Sequence, residues 1–215
     1  MARAGEGLRA APNGERPTFF FDFSSPYAYL AAERVNAVFA AAGAEIPEWQ
    51  PISFGFVLQA SGRVPWSLRA GREEGMREVE ERAAERGLPP VRWPAFWRDA
   101  ESLRRGYSLV PIRAATFAKQ SGRAVAFSLA AFRQAFAAGR DLGKLDTTLL
   151  AAAACELHPR AVTKGIETRA VREGLREATE RAIAMGIEGV PTVAVGGELY
   201  WGDDRLEDAA AAAAP

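Results

Sequence analysis

Ser25 stands between an apolar run, Phe19 to Phe23, and Pro26, where apolar residues begin to recur at helical spacing. Proline fits the first position of a helix, because the N–H it lacks would be unpaired there and its φ is already helical, so Ser25 becomes the N-cap. A hydroxyl in that place lies beside free N–H groups and the positive end of the helix dipole, a setting that stabilises an anion such as a thiolate. Read locally, the same serine is an ordinary helix cap, and both readings stand. The chain has one cysteine, Cys155, and one histidine, His158. Cys155 sits among alanines and leucines, where a buried, inert thiol is expected. His158 precedes Pro159 at a helix end, which favours capping or a surface role over catalysis.

Residues 18 to 23 read as a central strand covered on both faces, since their apolar side chains are neighbours rather than alternating. A first helix should run from Pro26 through Ala42, with Gly43 as its stop. Residues 45 to 53 suggest a second strand that Pro47 and Pro51 make short or place at an edge. From about 54 to 170 the pattern is helical and broken by Gly and Pro. Arg69 to Arg86 should be a solvated helix, and Leu88 to Pro94 a rigid crossing segment. Helices are expected over 107–122, 124–139, 146–157 and 167–185. Gly189 to Trp201 reads as strand, Gly196-Gly197 turn and return strand, and Asp203-Asp204-Arg205-Leu206 as the start of a short terminal helix capped by an aspartate.

Composition narrows the function. Lys+Arg and Asp+Glu each number 27, so no global field attracts nucleic acid or an anionic membrane. No stretch reaches the ~20 apolar residues needed to span a bilayer, and residues 1–17 lack the apolar core of a secretory signal and read as a loose tail. A single cysteine excludes an internal disulfide or a cysteine-rich zinc site and fits a reducing, cytoplasmic location.

Three stretches together carry a family resemblance: Phe21-Asp22-Phe23-Ser24-Ser25-Pro26-Tyr27, Gly189-Val190-Pro191-Thr192, and Trp201-Gly202-Asp203-Asp204-Arg205-Leu206. The chain resembles the thioredoxin-like family of DsbA-type oxidoreductases, kappa-class glutathione transferases and 2-hydroxychromene-2-carboxylate isomerases, and is most similar to the isomerases. The resemblance implies an α/β, thioredoxin-like fold over 18–54 and 165–215 with an inserted all-helical domain at 55–164. Where redox members carry Cys-x-x-Cys, this chain has Ser25-Pro26-Tyr27-Ala28, so a dithiol cycle is chemically excluded here. The resemblance implies instead that Ser25 holds the sulfur of glutathione or another low-molecular-weight thiol. It also implies that Val190-Pro191 is cis and offers its backbone to the thiol peptide, and that Asp204 meets a γ-glutamyl ammonium. Asp203 belongs to the same cofactor end. Its additional charge would repel a γ-glutamyl carboxylate, which points to a different thiol such as mycothiol. A thiol-dependent isomerase acting on an aromatic-derived keto acid follows, with Tyr27, Arg92 and Trp93 as substrate contacts between the lobes. The rival expectations are a kappa-like transferase that consumes the thiol and a DsbA-like binding protein without catalysis. Relatives of this kind are often dimers, so a homodimer is compatible.

Overall fold

The computed structural model describes residues 16–98, 101 and 109–215. Four strands form one sheet in the order β2-β1-β3-β4: β1 (Thr18–Phe21), β2 (Glu48–Pro51), β3 (Thr192–Val195) and β4 (Glu198–Trp201). β1 runs parallel to β2 and antiparallel to β3, with Phe19 opposite both Trp49 and Val193. The sequence expectation of a central first strand and an edge second strand is met. Phe19 and Phe21 enter the larger core with Trp49, while Phe20 packs on the other face with Ile52, Val57, Ala178 and Ala182. Both faces are thus covered, and each buried Phe contributes up to about 3 kcal/mol of apolar burial.

The helical elements begin with α1 (Pro26–Ala32) and α2 (Val35–Ala41), followed after β2 by α3 (Phe54–Ser61) and α4 (Arg72–Glu85). Next come α5 (Leu109–Gln120), α6 (Ala124–Phe132), which continues into a π turn at Arg133–Ala137, α7 (Leu145–Ala153) and α8 (Pro159–Gly165). The amphipathic α9 (Arg169–Ala184) precedes the β3-β4 hairpin, and α10 (Leu206–Ala213) ends the described chain. The helical block shares its core with the sheet: Phe23 packs edge-on against Phe127 and Phe132, with centroids 6.2 and 4.8 Å away.

Two expectations need correction. The helix foreseen from Pro26 to Ala42 breaks at Glu33 and Arg34. Glu33 is gripped at both oxygens by Arg133, and Arg34 reaches Glu207 and the Asp203 carbonyl, so both residues at the break are tied to distant partners. No aspartate side chain caps the terminal helix: a 3-10 turn over Asp203–Arg205 runs straight into α10. The tail foreseen for 1–17 lies largely outside the described residues. Its last two residues are nonetheless engaged, since Arg16 Nε donates to the Ile46 carbonyl at 2.8 Å and the Pro17 carbonyl accepts from the Glu48 N–H at 2.7 Å. The helix expected at 107–122 begins outside the described residues, which resume at Leu109.

Candidate active site

Strand β1 delivers the serine turn, and Asp22 at its end fixes that turn. Asp22 Oδ1 accepts the Ser24 N–H and Oδ2 accepts the Phe54 N–H, each at 2.8 Å, so one carboxylate ties the serine turn to the start of α3. Burial pushes the Asp22 carboxyl above its ordinary range, against the opposing pull of those two N–H groups. Ser25 caps α1 with extended backbone, φ −102° and ψ 117°, and its Oγ accepts the Ala28 N–H at 3.2 Å. The hydroxyl hydrogen goes elsewhere: Ser25 Oγ donates to the Val190 carbonyl at 3.0 Å. The Val190-Pro191 bond is cis. Gly189 lets this segment lie against Trp201, because a Cβ there would meet the indole at 2.4 Å.

The Ser25–Val190 pair forms part of the wall of a cavity of about 430 Å³. Its walls come from the sheet end and from the helical block alike, including Tyr27, Trp66, Arg82, Trp201 and Asp204. Tyr27 is a neutral wall rather than an acid. Its hydroxyl donates to Glu78 Oε2 at 3.0 Å, Arg82 sits 5.4 Å from its ring centroid, and burial followed by Glu78 raises its pKa well above the usual tyrosine range. Arg63 is engaged by Glu188 at 2.9 Å and lies 4.6 Å over Trp201. Arg69 is exposed on the same wall and has no ion pair among the described residues.

Asp203 and Asp204 differ sharply. Asp203 is 1% exposed; one carboxylate oxygen takes Arg82 Nη1 at 2.7 Å and the other takes Arg86. This corrects two sequence expectations. The stretch from Arg69 to Arg86 is not only a solvated face, and the charge of Asp203 is met by two guanidinium groups rather than left to repel an incoming carboxylate. The argument against glutathione based on residue 203 therefore lapses. Asp204 is exposed on the cavity wall, with no ion pair or hydrogen bond among the described residues.

The geometry thus brings together Ser25, Tyr27, Val190, Pro191, Asp203 and Asp204 at one cavity. Arg92 and Trp93 do not line it. The Arg92 N–H is pinned to the Phe136 carbonyl at 2.7 Å while its side chain is exposed, and Trp93 Nε1 donates to Glu80 at 2.6 Å. Trp93 does pack on Trp97, whose ring belongs to the cavity wall, with centroids 4.7 Å apart. Among the wall residues the sequence reading did not assign to the site are Arg63, Trp66, Arg69 and Arg82. The only local hint for the first three was that they flank Pro65 in a Gly- and Pro-bounded stretch.

Residues 18–214 match the DSBA-like thioredoxin domain. The chain belongs to the DSBA-like thioredoxin family. This DSBA-like chain is 28% identical over 199 residues to a 2-hydroxychromene-2-carboxylate isomerase of Sphingobium xenophagum, covering 88% of this chain and 93% of that protein. It is 27% identical over 193 residues to the protein of the same name from Pseudomonas putida, covering 87% and 89%. Among solved structures, a 2-hydroxychromene-2-carboxylate isomerase superposes with a TM-score of 0.76 at 24% identity, covering 89% of this chain and 91% of that one. A probable DsbA oxidoreductase from Streptomyces coelicolor gives 0.69 at 20%, covering 91% and 86%. The structural likenesses speak for the DSBA-like fold. Within that fold the turn at 25–28 carries no sulfur, and the chain's lone thiol, Cys155, is buried and does not line the cavity. No group of three or more metal-binding side chains occurs among the described residues, and no helix there is long and apolar enough to cross a membrane.

Proposed function

We propose that the protein is a thiol-dependent isomerase of the 2-hydroxychromene-2-carboxylate type, in which Ser25 stabilises the sulfur of glutathione or a related low-molecular-weight thiol. The observation that carries this reading is the Ser25–Val190 pair on the wall of a 430 Å³ cavity, with a serine hydroxyl and no sulfur in the turn at 25–28. Two relatives spanning nearly the whole chain carry that isomerase name.

The residues fit a peptide thiol. A serine hydroxyl has one proton, here given to the Val190 carbonyl. Turning that proton toward a sulfur in the cavity frees the Val190 carbonyl to accept the amide N–H of a cysteinyl residue, so no buried polar group is left unpaired by the exchange. Ser25 Oγ keeps the Ala28 N–H throughout, and the cap that holds the hydroxyl in place survives the switch. Asp204 supplies a carboxylate for an ammonium group, and Arg69 supplies a guanidinium for a carboxylate. Once bound, the thiol supplies a nucleophile that can add to a carbon conjugated with a keto group and leave unchanged, which lets a double bond rotate. A reducing, cytoplasmic setting is part of the proposal.

The test is turnover of 2-hydroxychromene-2-carboxylate with and without glutathione or mycothiol, with the free thiol counted before and after. Turnover that requires thiol but does not consume it supports the isomerase. Consumption of the thiol with an electrophile would support the kappa-like transferase, and turnover without any thiol would remove the role given to Ser25.

A further inference from the structure

A second, smaller cavity adjoins the first. Its volume is about 140 Å³, and Ser24, Phe54 and Leu58 belong to the walls of both, so an occupant would lie one side chain away from the thiol cavity. Phe23, Phe96, Phe136 and Leu142 make most of its remaining surface apolar. An engineered apolar cavity of roughly 150 Å³ takes up benzene, so this space suits one aromatic ring.

Two charged groups break the apolar lining. Arg140 has an exposed guanidinium that hydrogen-bonds the neutral Gln134 side chain at 3.0 Å and has no carboxylate partner among the described residues. In the larger cavity Arg63 and Arg82 are already in ion pairs, and Arg69 is the guanidinium assigned above to the carboxylate of the thiol. Asp22 spends one lone pair of each oxygen on a backbone N–H, which leaves further lone pairs to accept a hydroxyl hydrogen. Asp22 carries no cation for a carboxylate, whereas the Arg140 guanidinium attracts one.

We infer that this cavity is an aryl subsite that receives the ring of an aromatic carboxylic acid, with the carboxylate at Arg140 and a ring hydroxyl, where present, at Asp22. The inference stands apart from the isomerase reading, whose fused-ring substrate carries its carboxylate on the second ring. The occupant class is a single ring bearing one carboxylate; fused or bulkier rings exceed the volume and would have to extend toward the thiol cavity.

The probes are 2-hydroxybenzoate, benzoate and phenol, titrated into the full-length protein by calorimetry. Ala135, 4% exposed and lining only this cavity of the two, is changed to Leu to fill it, and the exposed Arg140 is changed to Gln; thermal unfolding checks that both variants fold. Wild type should bind 2-hydroxybenzoate more tightly than benzoate. Ala135→Leu should weaken both by tenfold or more, and Arg140→Gln should weaken both several-fold while leaving phenol unchanged. No binding to wild type, or unchanged affinity in folded Ala135→Leu, would overturn the subsite. If Ala135→Leu fails to fold, Arg140→Gln decides: equal affinity for 2-hydroxybenzoate before and after the change overturns the inference. Ring binding with this pattern but no thiol-dependent turnover would leave the subsite standing and remove the isomerase; turnover without the pattern would do the reverse.

Discussion

Two turns in this molecule are built alike. Ser25-Pro26 and His158-Pro159 each place proline at the start of a seven-residue helix, and in each the residue before proline accepts a backbone N–H at 3.2 Å. By residue type the second turn is the richer, with the chain's one histidine and, three residues earlier, its one cysteine. Yet His158 is exposed and lines neither cavity, and the buried Cys155 donates to the Ala152 carbonyl at 3.2 Å. Burial also pushes the Cys155 thiol up, away from the reactive thiolate. The first turn offers only a hydroxyl, but that hydroxyl meets Val190, 165 residues along the chain, on the wall of a cavity. Local sequence builds the cap in both places; a distant strand end makes only one of them a site.

The strongest way to break that comparison is to take the side chain from each cap. Glycine retains most of a cap's stability, within a few tenths of a kcal/mol, but has no hydroxyl. Ser25→Gly should therefore lower thiol-dependent turnover by about two to three orders of magnitude, the range for losing one donor to a reacting anion, at a cost of about 1–3 kcal/mol for the Val190 carbonyl left unpaired. His158→Gly, which frees no such carbonyl, should leave turnover unchanged at a cost of a few tenths of a kcal/mol. Steady-state kinetics and thermal melts on the pair check this, and equal turnover in both variants would remove the distinction between the turns.

The next effect concerns the wall that only the first turn has. Asp203→Asn leaves Arg82 and Arg86 without the carboxylate that joins them. Removing one partner of a fully buried pair costs about 3–5 kcal/mol, but these arginine side chains are 26% and 18% exposed, so water recovers part of the loss and about 2 kcal/mol is expected. Urea denaturation measures it. A loss under a few tenths would mean that the network contributes nothing to holding α4 against the hairpin.

Parts of this arrangement could be read from the sequence because the signals are local. Neighbouring phenylalanines marked β1, Pro26 marked the start of α1, and Gly196-Gly197, at φ +56° and +90°, marked the hairpin turn. What escaped was set by partners far along the chain. The partners of Glu33 and Arg34 at the break between α1 and α2, Arg133 and Glu207, lie 100 and 173 residues away. Arg92 has the right charge for a carboxylate, but its backbone N–H is bonded to the Phe136 carbonyl and it does not line the Ser25 cavity. Arg82 and Arg86 looked like part of a solvated face because no pattern within α4 reveals a buried aspartate 121 and 117 residues on. Ser25, Val190 and Pro191 were found as a set only because their motifs occur together; neither motif alone fixes the distance between them.

A smaller effect tests the reactive-looking residue of the second turn. Cys155→Ala should leave turnover unchanged. In the native wild type, alkylation of Cys155 by iodoacetamide should be slow and should accelerate once the protein is unfolded, because the buried thiol is held protonated. Mass spectrometry over a denaturant series follows it. Rapid native alkylation, or lost turnover in Cys155→Ala, would bring the second turn into the chemistry.

The smallest effect separates the turns by pH. Asp22 clamps the serine turn, and its folded-state pKa is raised above the ordinary aspartate range, chiefly by burial. A raised carboxyl binds its proton more tightly in the folded chain than in the unfolded one, so its contribution to stability is complete below an unfolded value of about 3.9 and is lost as pH rises through the folded value. Burial therefore makes the ionised form of Asp22 oppose folding, while its two N–H bonds support the turn. Comparing wild type with Asp22→Asn in denaturant at successive pH values should show wild type losing ground to the variant as pH climbs from 4, with no further change once Asp22 is fully ionised. A carboxyl resonance of Asp22 titrating at or below 3.8 would contradict that slope, and would make the N–H bonds from Ser24 and Phe54, rather than burial, the dominant influence on the turn.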